Sequence, residues 1–424
     1  MIRILLACLL LCVACSVADA QEVCHTYGYE QQLIKADPQL AKRIQEFARR
    51  KPARQQKEIL NNTSGGSGSA GNAPIVRIPV VVHVLYNNEK QNISDEQIQS
   101  QIDALNRDFR RLNEDTANAP EIYRRLGADI QIEFVLANVD PKGFATSGIV
   151  RRKTNIQFFN ADDRIKFTSR GGDDAWDPES YLNIWTGNLV GNMLGYSSPV
   201  YGPRNTDGIV VSWTAFGTVG VASPSYNKGR TAVHEVGHWL GLRHIWGDRY
   251  CGDDYIDDTP SQERASFGCP SGNPISCDNG PHGNMYMNYM DATADACVNL
   301  FTQGQKEKML SLFEPGEYRE SLLYSKGAAG NGLPAPAEAP PGPSPDVIAL
   351  YPNPVQSVLT IDLKENPGLV GQTISVYNHL GQLVMQERIS KPVMTLRLQT
   401  LHDGIYWVKA GDMKARKVVK SAAF

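Results

Sequence analysis

The chain of 424 residues is long enough for two to three domains with real hydrophobic cores. Its 42 Lys plus Arg stand against 45 Asp plus Glu, and a net charge of −3 excludes the basic stripe of a nucleic-acid binder. A hydrophobic fraction of 42% and a charged fraction of 21% are those of a globular protein, and eight cysteines are too few for a fold built on disulfides.

Residues 1–20 read as a secretory signal: Arg3 gives the positive start, Ile4 to Val17 the apolar stretch, and Ala18-Asp19-Ala20 an A-x-A-like cleavage site. Lipid anchoring at Cys15 is the rival, though Cys12-Val13-Ala14 before it fits poorly. The apolar run is too short to span a membrane, and no later stretch reaches the roughly 18 apolar residues required. A secreted or outer-cell-surface protein is expected, in a compartment where disulfides persist. Cys8, Cys12 and Cys15 leave with the signal, so Cys24 stands alone ahead of Cys251, Cys269, Cys277 and Cys297.

Residues 21–72 are polar and basic, with Arg49-Arg50-Lys51, Arg54 and a flexible Ser64–Ser69 run of Ser and Gly. This stretch is a candidate pro-segment, or else a disordered arm. Patterning becomes strong within 73–325. Ile78 to Leu85 is a β-branched apolar run suited to a buried strand. Ser94-x-x-Gln97 has the form of a capping box, and Ile98, Ile102, Leu105, Phe109 and Leu112 follow at helical spacing. Ile130, Ile132, Phe134 and Leu136 then alternate as in a half-buried strand. Strand, helix, strand predicts an α/β domain. Residues 326–345, rich in Ala, Gly and Pro, form a linker to residues 346–424, where short strand-like runs between turn signals predict a small all-β sandwich.

The chemistry concentrates in His234-Glu235-Val236-Gly237-His238-Trp239-Leu240-Gly241-Leu242-Arg243-His244. On a helix of 3.6 residues per turn, His234 and His238 share one face, and two imidazoles so placed can bind one zinc. Glu235 lies within reach of the attacking water. Gly241 can take the left-handed conformation that ends the helix, freeing His244 to return as a third ligand. Three protein ligands leave a fourth position open, the mark of a catalytic zinc site. Four carboxylates crowd Asp253-Asp254-Tyr255-Ile256-Asp257-Asp258-Thr259-Pro260, a density of hard oxygen suited to calcium or to an acidic solvated turn. Cys251, Cys269, Cys277 and Cys297 suit two disulfides, with three connectivities open.

This motif, with Asn288-Tyr289-Met290-Asp291, Ala296 to Thr302, Ile78 to Leu85 and Tyr181-Leu182-Asn183-Ile184-Trp185, resembles the pappalysin family of metzincin metalloproteases over about residues 75–320. The resemblance implies an α/β metzincin catalytic domain, with a twisted sheet, an active-site helix and zinc at the cleft. It implies zinc on His234, His238 and His244, Glu235 as general base then acid, and Met290 as the Met-turn beneath the metal. It also implies Cys251–Cys277 and Cys269–Cys297 disulfides, calcium at Asp254 and Thr259, and Cys24 as a latency ligand on zinc. Asp295, in the segment lining the pocket after the scissile bond, would favour Arg or Lys there. One departure stands out: Ala292 replaces the tyrosine that pappalysins carry two residues after the Met-turn methionine, and Tyr286 and Tyr289 are off that position.

Tyr351-Pro352-Asn353-Pro354, Ile374 to Val384, Gly404-Ile405-Tyr406-Trp407-Val408 and the basic Lys414 to Lys420 resemble a type IX secretion sorting domain. Together these readings predict a secreted zinc endopeptidase made as a zymogen, acting on proteins or peptides beside basic residues and exported by type IX machinery. The competing reading is a surface binding protein that keeps zinc while Ala292 weakens catalysis.

Overall fold

A computed structural model describes residues 24–51, 75–328, 349–363, 369–378, 381–411 and 415–421. The signal, Arg54, the Ser/Gly run, most of the Ala/Gly/Pro linker and Lys414 lie outside the described residues. The chain divides into two compact units, Met1–Ala337 and Glu338–Phe424.

The described residues of the first unit begin with two helices, α1 (Thr26–Ala36) and α2 (Pro38–Arg49). Asp37 separates them: its side chain accepts from Gln39 N, and Pro38 sits at the first helical position, where its missing N–H costs nothing. Strand β1 (Val76–Tyr86) follows, buried without interruption from Ile78 to Leu85. That run is buried on both faces because β1 is central to a mainly parallel sheet. Helix α3 (Asp95–Phe109) and the short α4 (Glu121–Leu126) lead to β2 (Ile132–Leu136) and β3 (Ile149–Lys153). These two strands pair with successive halves of β1, from Val76 to Val80 and from Val82 to Tyr86. On its other edge β1 pairs with β4 (Leu182–Gly187). Beyond it lie the antiparallel edge strand β5 (Gly195–Ser197) and, between the two, β6 (Ile209–Ser212).

Side chains alternate across this sheet as its pleat requires. Ile184, Ile209 and Val211 face a core shared with Ile98, Ile102, Leu105 and Phe109 of α3 and with Val233 and Val236 of α5 (Arg230–Trp239). Trp185 and Val210 face a second cluster with Phe159, Ile165, Tyr196 and Tyr29. Helix α5 is buried at all ten positions, so the two histidines it carries are set in packed surroundings. Helix α6 (Gln303–Leu310) follows, and two short 3-10 turns, Ser311–Phe313 and Glu320–Tyr324, come after it.

Two local expectations are corrected. Ser94 caps α3 by accepting from Gln97 N at 3.2 Å, but the reciprocal half of the box is missing. Gln97 is buried and turns its amide to Phe216 O at 2.8 Å. The full reciprocal box occurs instead at Thr302 and Gln305, starting α6. Leu112 does not extend the apolar face of α3; the helix ends at Phe109, Arg111 takes a left-handed φ of 51°, and Leu112 is 71% exposed.

Among its described residues the second unit has seven antiparallel strands: β7 (Ala349–Tyr351), β8 (Val358–Asp362), β9 (Thr373–Asn378), β10 (Leu383–Arg388), β11 (Val393–Arg397), β12 (Gly404–Ala410) and β13 (Arg416–Lys420). They form sheets ordered β11-β8-β7 and β10-β9-β12-β13. Leu359, Ile361 and Leu396 from one sheet and Ile374, Val376, Val408 and Val418 from the other share one core, as in a sandwich.

Candidate functional site

Helix α5 presents His234 and His238 one turn apart. Gly241, at φ 84°, turns the chain so that His244 returns to face them. The three Nε2 atoms converge: 3.0 Å separates His234 from His238, 3.2 Å His234 from His244, and 3.1 Å His238 from His244. A tetrahedral zinc with N ligands at roughly 2.0–2.1 Å sets such edges at about 3.3 Å, so the triangle fits one ion. Each Nδ1 is occupied elsewhere, on Tyr289 O at 2.6 Å, Leu242 O at 3.0 Å and Asp248 Oδ1 at 2.5 Å. An Nδ1–H donating outward leaves the Nε2 lone pair pointing inward, the tautomer a metal needs. Burial and the neighbouring His244 push the His234 imidazole down to about 3 and that of His238 well below its usual range, so both stay neutral.

Cys24 completes the group. Its Sγ lies 3.6 Å from His238 Nε2, and the four ligand atoms of Cys24, His234, His238 and His244 all fall within 4.8 Å of one another. Burial, and then the Glu235 carboxylate, push the thiol up. A cation held among the imidazoles would reverse that balance and favour the thiolate. Cys24 is held there by backbone pairing: it bridges Gly195 on β5, and His25 N donates to Gly195 O at 3.0 Å.

Glu235 is 1% exposed, and burial raises its carboxyl to about 7. Thr26 Oγ1 donates to its Oε2 at 2.8 Å and accepts from Ser197 N at 2.9 Å. Space here is tight: a Cβ on Gly195 would come within 2.9 Å of Glu235 Cγ. Met290 is fully buried against α5, where a Cβ on Gly237 would meet its Sδ at 2.5 Å. The Met290 loop is fixed by Asn288 Oδ1, which accepts from Met290 N at 2.9 Å.

A cleft beside these ligands is lined by Tyr226, Arg230, Ala292, Thr293, Asp295 and Val298 among others. Asp295 Oδ2 accepts from Lys228 N at 2.8 Å and Arg230 N at 3.3 Å, at the positive end of α5. Neither off-position tyrosine replaces the missing one at Ala292. Tyr289 lines the cleft but packs its ring on Phe301 and under the Arg230 guanidinium, with its hydroxyl buried, and Tyr286 is not among the lining residues. Tyr226 does line it.

The acidic run disperses. Asp253 accepts from Tyr255 N, Asp257 pairs with Lys51, and Asp258 caps α6 by accepting from Thr302 Oγ1 and Gly304 N. Asp254 alone turns inward, 6% exposed, with the Thr259 hydroxyl donating to it at 2.8 Å. The structure pairs Cys251 with Cys277 and Cys269 with Cys297, each with Cα atoms 5.6 Å apart.

Sequence reasoning missed Thr26, Asp248 and Tyr226. Asp248 follows His244 by four residues, a spacing that was a usable signal; Thr26 and Tyr226 reach the site from surface segments with no motif.

A buried cluster of three histidines with a neighbouring glutamate, under the edge strand of a mainly parallel sheet, defines a metallopeptidase of the metzincin type. Residues 168–314 match the model of the pregnancy-associated plasma protein-A family, and residues 349–422 that of the secretion system C-terminal sorting domain. An extracellular metalloprotease of Arthroderma benhamiae is 32% identical over 263 residues, 59% of this chain and 83% of that protein. Mature mirolysin of Tannerella forsythia in complex with a cleaved peptide is 50% identical, with TM-score 0.58, over 59% of this chain and 96% of that one. A promirolysin mutant from the same organism is 44% identical, with TM-score 0.62, over 71% and 96%. The chain belongs to the pregnancy-associated plasma protein-A, or pappalysin, family: it is a metalloendopeptidase, secreted or carried at the cell surface. Among the described residues no helix is long and apolar enough to cross a membrane.

Proposed function

We propose that the chain is made as a latent zinc endopeptidase, unblocked when residues ahead of the catalytic domain are cut away, and that it cleaves protein and peptide bonds on the N-terminal side of Arg or Lys. The observation that carries the reading is the Cys24 Sγ set beside three inward-facing Nε2 atoms. The promirolysin likeness supports the latent form.

His234, His238 and His244 hold the zinc, with Cys24 as the fourth ligand of the latent state. A zinc ion held there polarises the scissile carbonyl and lowers the pKa of the attacking water. Glu235 accepts the proton of that water and passes it to the leaving amine. Asp248, through His244 Nδ1, orients the third imidazole, and Met290 packs beneath the ligand-bearing helix. Asp295 faces the side chain after the broken bond, and its carboxylate selects a cation there. Asp254 and Thr259 would hold calcium: burial raises the Asp254 carboxyl to about 8, against hydrogen bonds from Thr259 and Ile256 N and with the nearby Asp253 and Asp258 adding to it, and a hard cation would favour its charged form. The sorting domain hands the chain to type IX machinery.

The test is cleavage of a diverse peptide library by mature protein beside Glu235→Gln and Asp295→Asn, read by mass spectrometry. Arg or Lys should follow the cut bond in wild-type products, Glu235→Gln should release none, and Asp295→Asn should lose the basic preference. Cutting by Glu235→Gln, or a preference unaltered in Asp295→Asn, overturns the corresponding role.

A further inference from the structure

Cys24 and Thr26 are joined in the catalytic unit by other side chains of the first two helices, Phe47 in its main core and Tyr29 in a polar socket. Tyr29, on α1, is 2% exposed, and its ring lies 5.0 Å from that of Tyr196 on β5. Its hydroxyl donates to the Asp163 carboxylate, with both oxygens at 2.7 Å, and accepts from Lys166 Nζ at 3.5 Å. Lys166 is fully buried; its ammonium also donates to Thr206 O at 2.8 Å, pairs with Asp163 at 3.0 Å, and sits 4.9 Å from the Tyr29 ring centroid. The ammonium lies 5.5 Å from the Trp185 ring and 5.0 Å from that of Tyr196.

Of these groups only Tyr29 leaves with the pro-segment. What stays is a ring-sized slot walled by Tyr196, with a carboxylate acceptor and an ammonium donor at its end. Lys166 keeps Thr206 O and Asp163 as acceptors and loses its third when Tyr29 leaves, while Asp163 loses a donor, which favours refilling the slot with a hydroxyl. A phenol satisfies all parts: its O–H donates to Asp163, its lone pair accepts from Lys166, and its ring face takes the cation. Phenylalanine offers the ring alone, and a lysine would bring like charge to Lys166. The slot adjoins β5, along which residues 24–26 already lie beside the metal ligands.

We propose that the mature enzyme uses this socket, formed by Asp163, Lys166 and Tyr196, as a substrate subsite for a tyrosine side chain distant from the scissile bond. The proposal rests on the peptidase reading above. Its test is a peptide series cut at one fixed bond, with Tyr, Phe or Ala placed at each position in turn on both sides. At one position Tyr should raise kcat/KM about tenfold over Ala, mainly through KM, with Phe in between, as a hydrogen bond to a charged group suggests. In Asp163→Asn, which keeps an oxygen acceptor but not its charge, the Tyr-to-Phe ratio should fall several-fold; the ratio is read within each protein, so a general loss cancels. Asp163 has φ 60°, a conformation asparagine tolerates, so this variant keeps the local backbone. A Tyr-to-Ala ratio near one at every position, or a Tyr-to-Phe ratio undiminished in Asp163→Asn, overturns the proposal.

A second measurement stands apart from turnover and so separates failure of the socket from failure of the peptidase reading. A peptide of residues 24–51 carrying Cys24→Ala is titrated against mature Glu235→Gln protein. Binding about tenfold tighter than its Tyr29→Phe counterpart supports the socket, and equal binding overturns it.

Discussion

Thr26 Oγ1 donates to Glu235 Oε2 at 2.8 Å, so the pro-segment engages the proposed general base as well as the proposed metal ligands. The same hydroxyl accepts from Ser197 N, which ties that contact to the edge strand. The proposed latency therefore has two parts, a thiol at the three-histidine cluster and a hydroxyl on the carboxylate.

The two parts predict graded release. Cys24→Ala should give a precursor that leaks activity, while Thr26→Val alone should loosen it less. The double variant should exceed either, since a hydrogen bond to a charged group is worth about 1.5–3 kcal/mol. Peptide hydrolysis by uncut precursors measures this; a double variant no more active than Cys24→Ala would remove Thr26 from the account.

Ala292 predicts a gain. Restoring tyrosine by Ala292→Tyr places a hydroxyl at the cleft lining, and one oxyanion donor is worth about 10²–10³ in kcat elsewhere. Steady-state kinetics should show kcat rising at least about tenfold. An unchanged kcat with normal zinc content means the site already stabilises the oxyanion by other groups, with Tyr226 on the same cleft the first to test.

Gly237 predicts a loss. A methyl group there meets Met290 Sδ at 2.5 Å, with Phe301 at 3.4 Å, and both the helix and the methionine are buried. Gly237→Ala should lower stability by about 1–3 kcal/mol. Denaturant unfolding measures it, and the double variant Gly237→Ala with Met290→Ala should recover part of the loss.

Acid should act through Asp115. Burial works to raise its carboxyl, yet hydrogen bonds from Arg230, Asn113 and Lys228 hold it well below the usual carboxylate range. A depressed folded-state pKa contributes stability that is present above the unfolded value near 4 and is lost as pH falls through the folded value. Asp115→Asn should therefore destabilise at neutral pH, by about 2–4 kcal/mol for a charge partner removed from the nearly buried Arg230, and flatten the acid limb. Equal losses at pH 7 and below pH 3 would contradict the assignment.

Much of this is legible in the chain because its signals are local. The run Ile78 to Leu85 suits only a two-sided buried strand, and the spacing from His234 to His244 prescribes a helix, a glycine turn and a returning ligand. What stays hidden depends on tertiary partners. Gln97 has the look of half a capping box, but Phe216 O takes its amide, and Leu112 keeps the helical period although Arg111 has ended the helix. The pro-segment reads as polar and structureless apart from its cysteine. Its helices are stabilised from outside: Lys308 donates to the carbonyls of Phe47, Ala48 and Arg50 at the end of α2, and Arg50 forms a two-pronged pair with Glu317. The acidic run from Asp253 to Asp258 reads as one cluster, yet neighbours in sequence point their carboxylates to different duties.

The most direct test of the central claim is zinc K-edge X-ray absorption on the full-length Glu235→Gln precursor, compared with Cys24→Ser in the same background. One sulfur at about 2.3 Å beside three nitrogens at about 2.0–2.1 Å, with the sulfur lost in Cys24→Ser, is the predicted result. A precursor whose zinc carries only nitrogen and oxygen neighbours would contradict it.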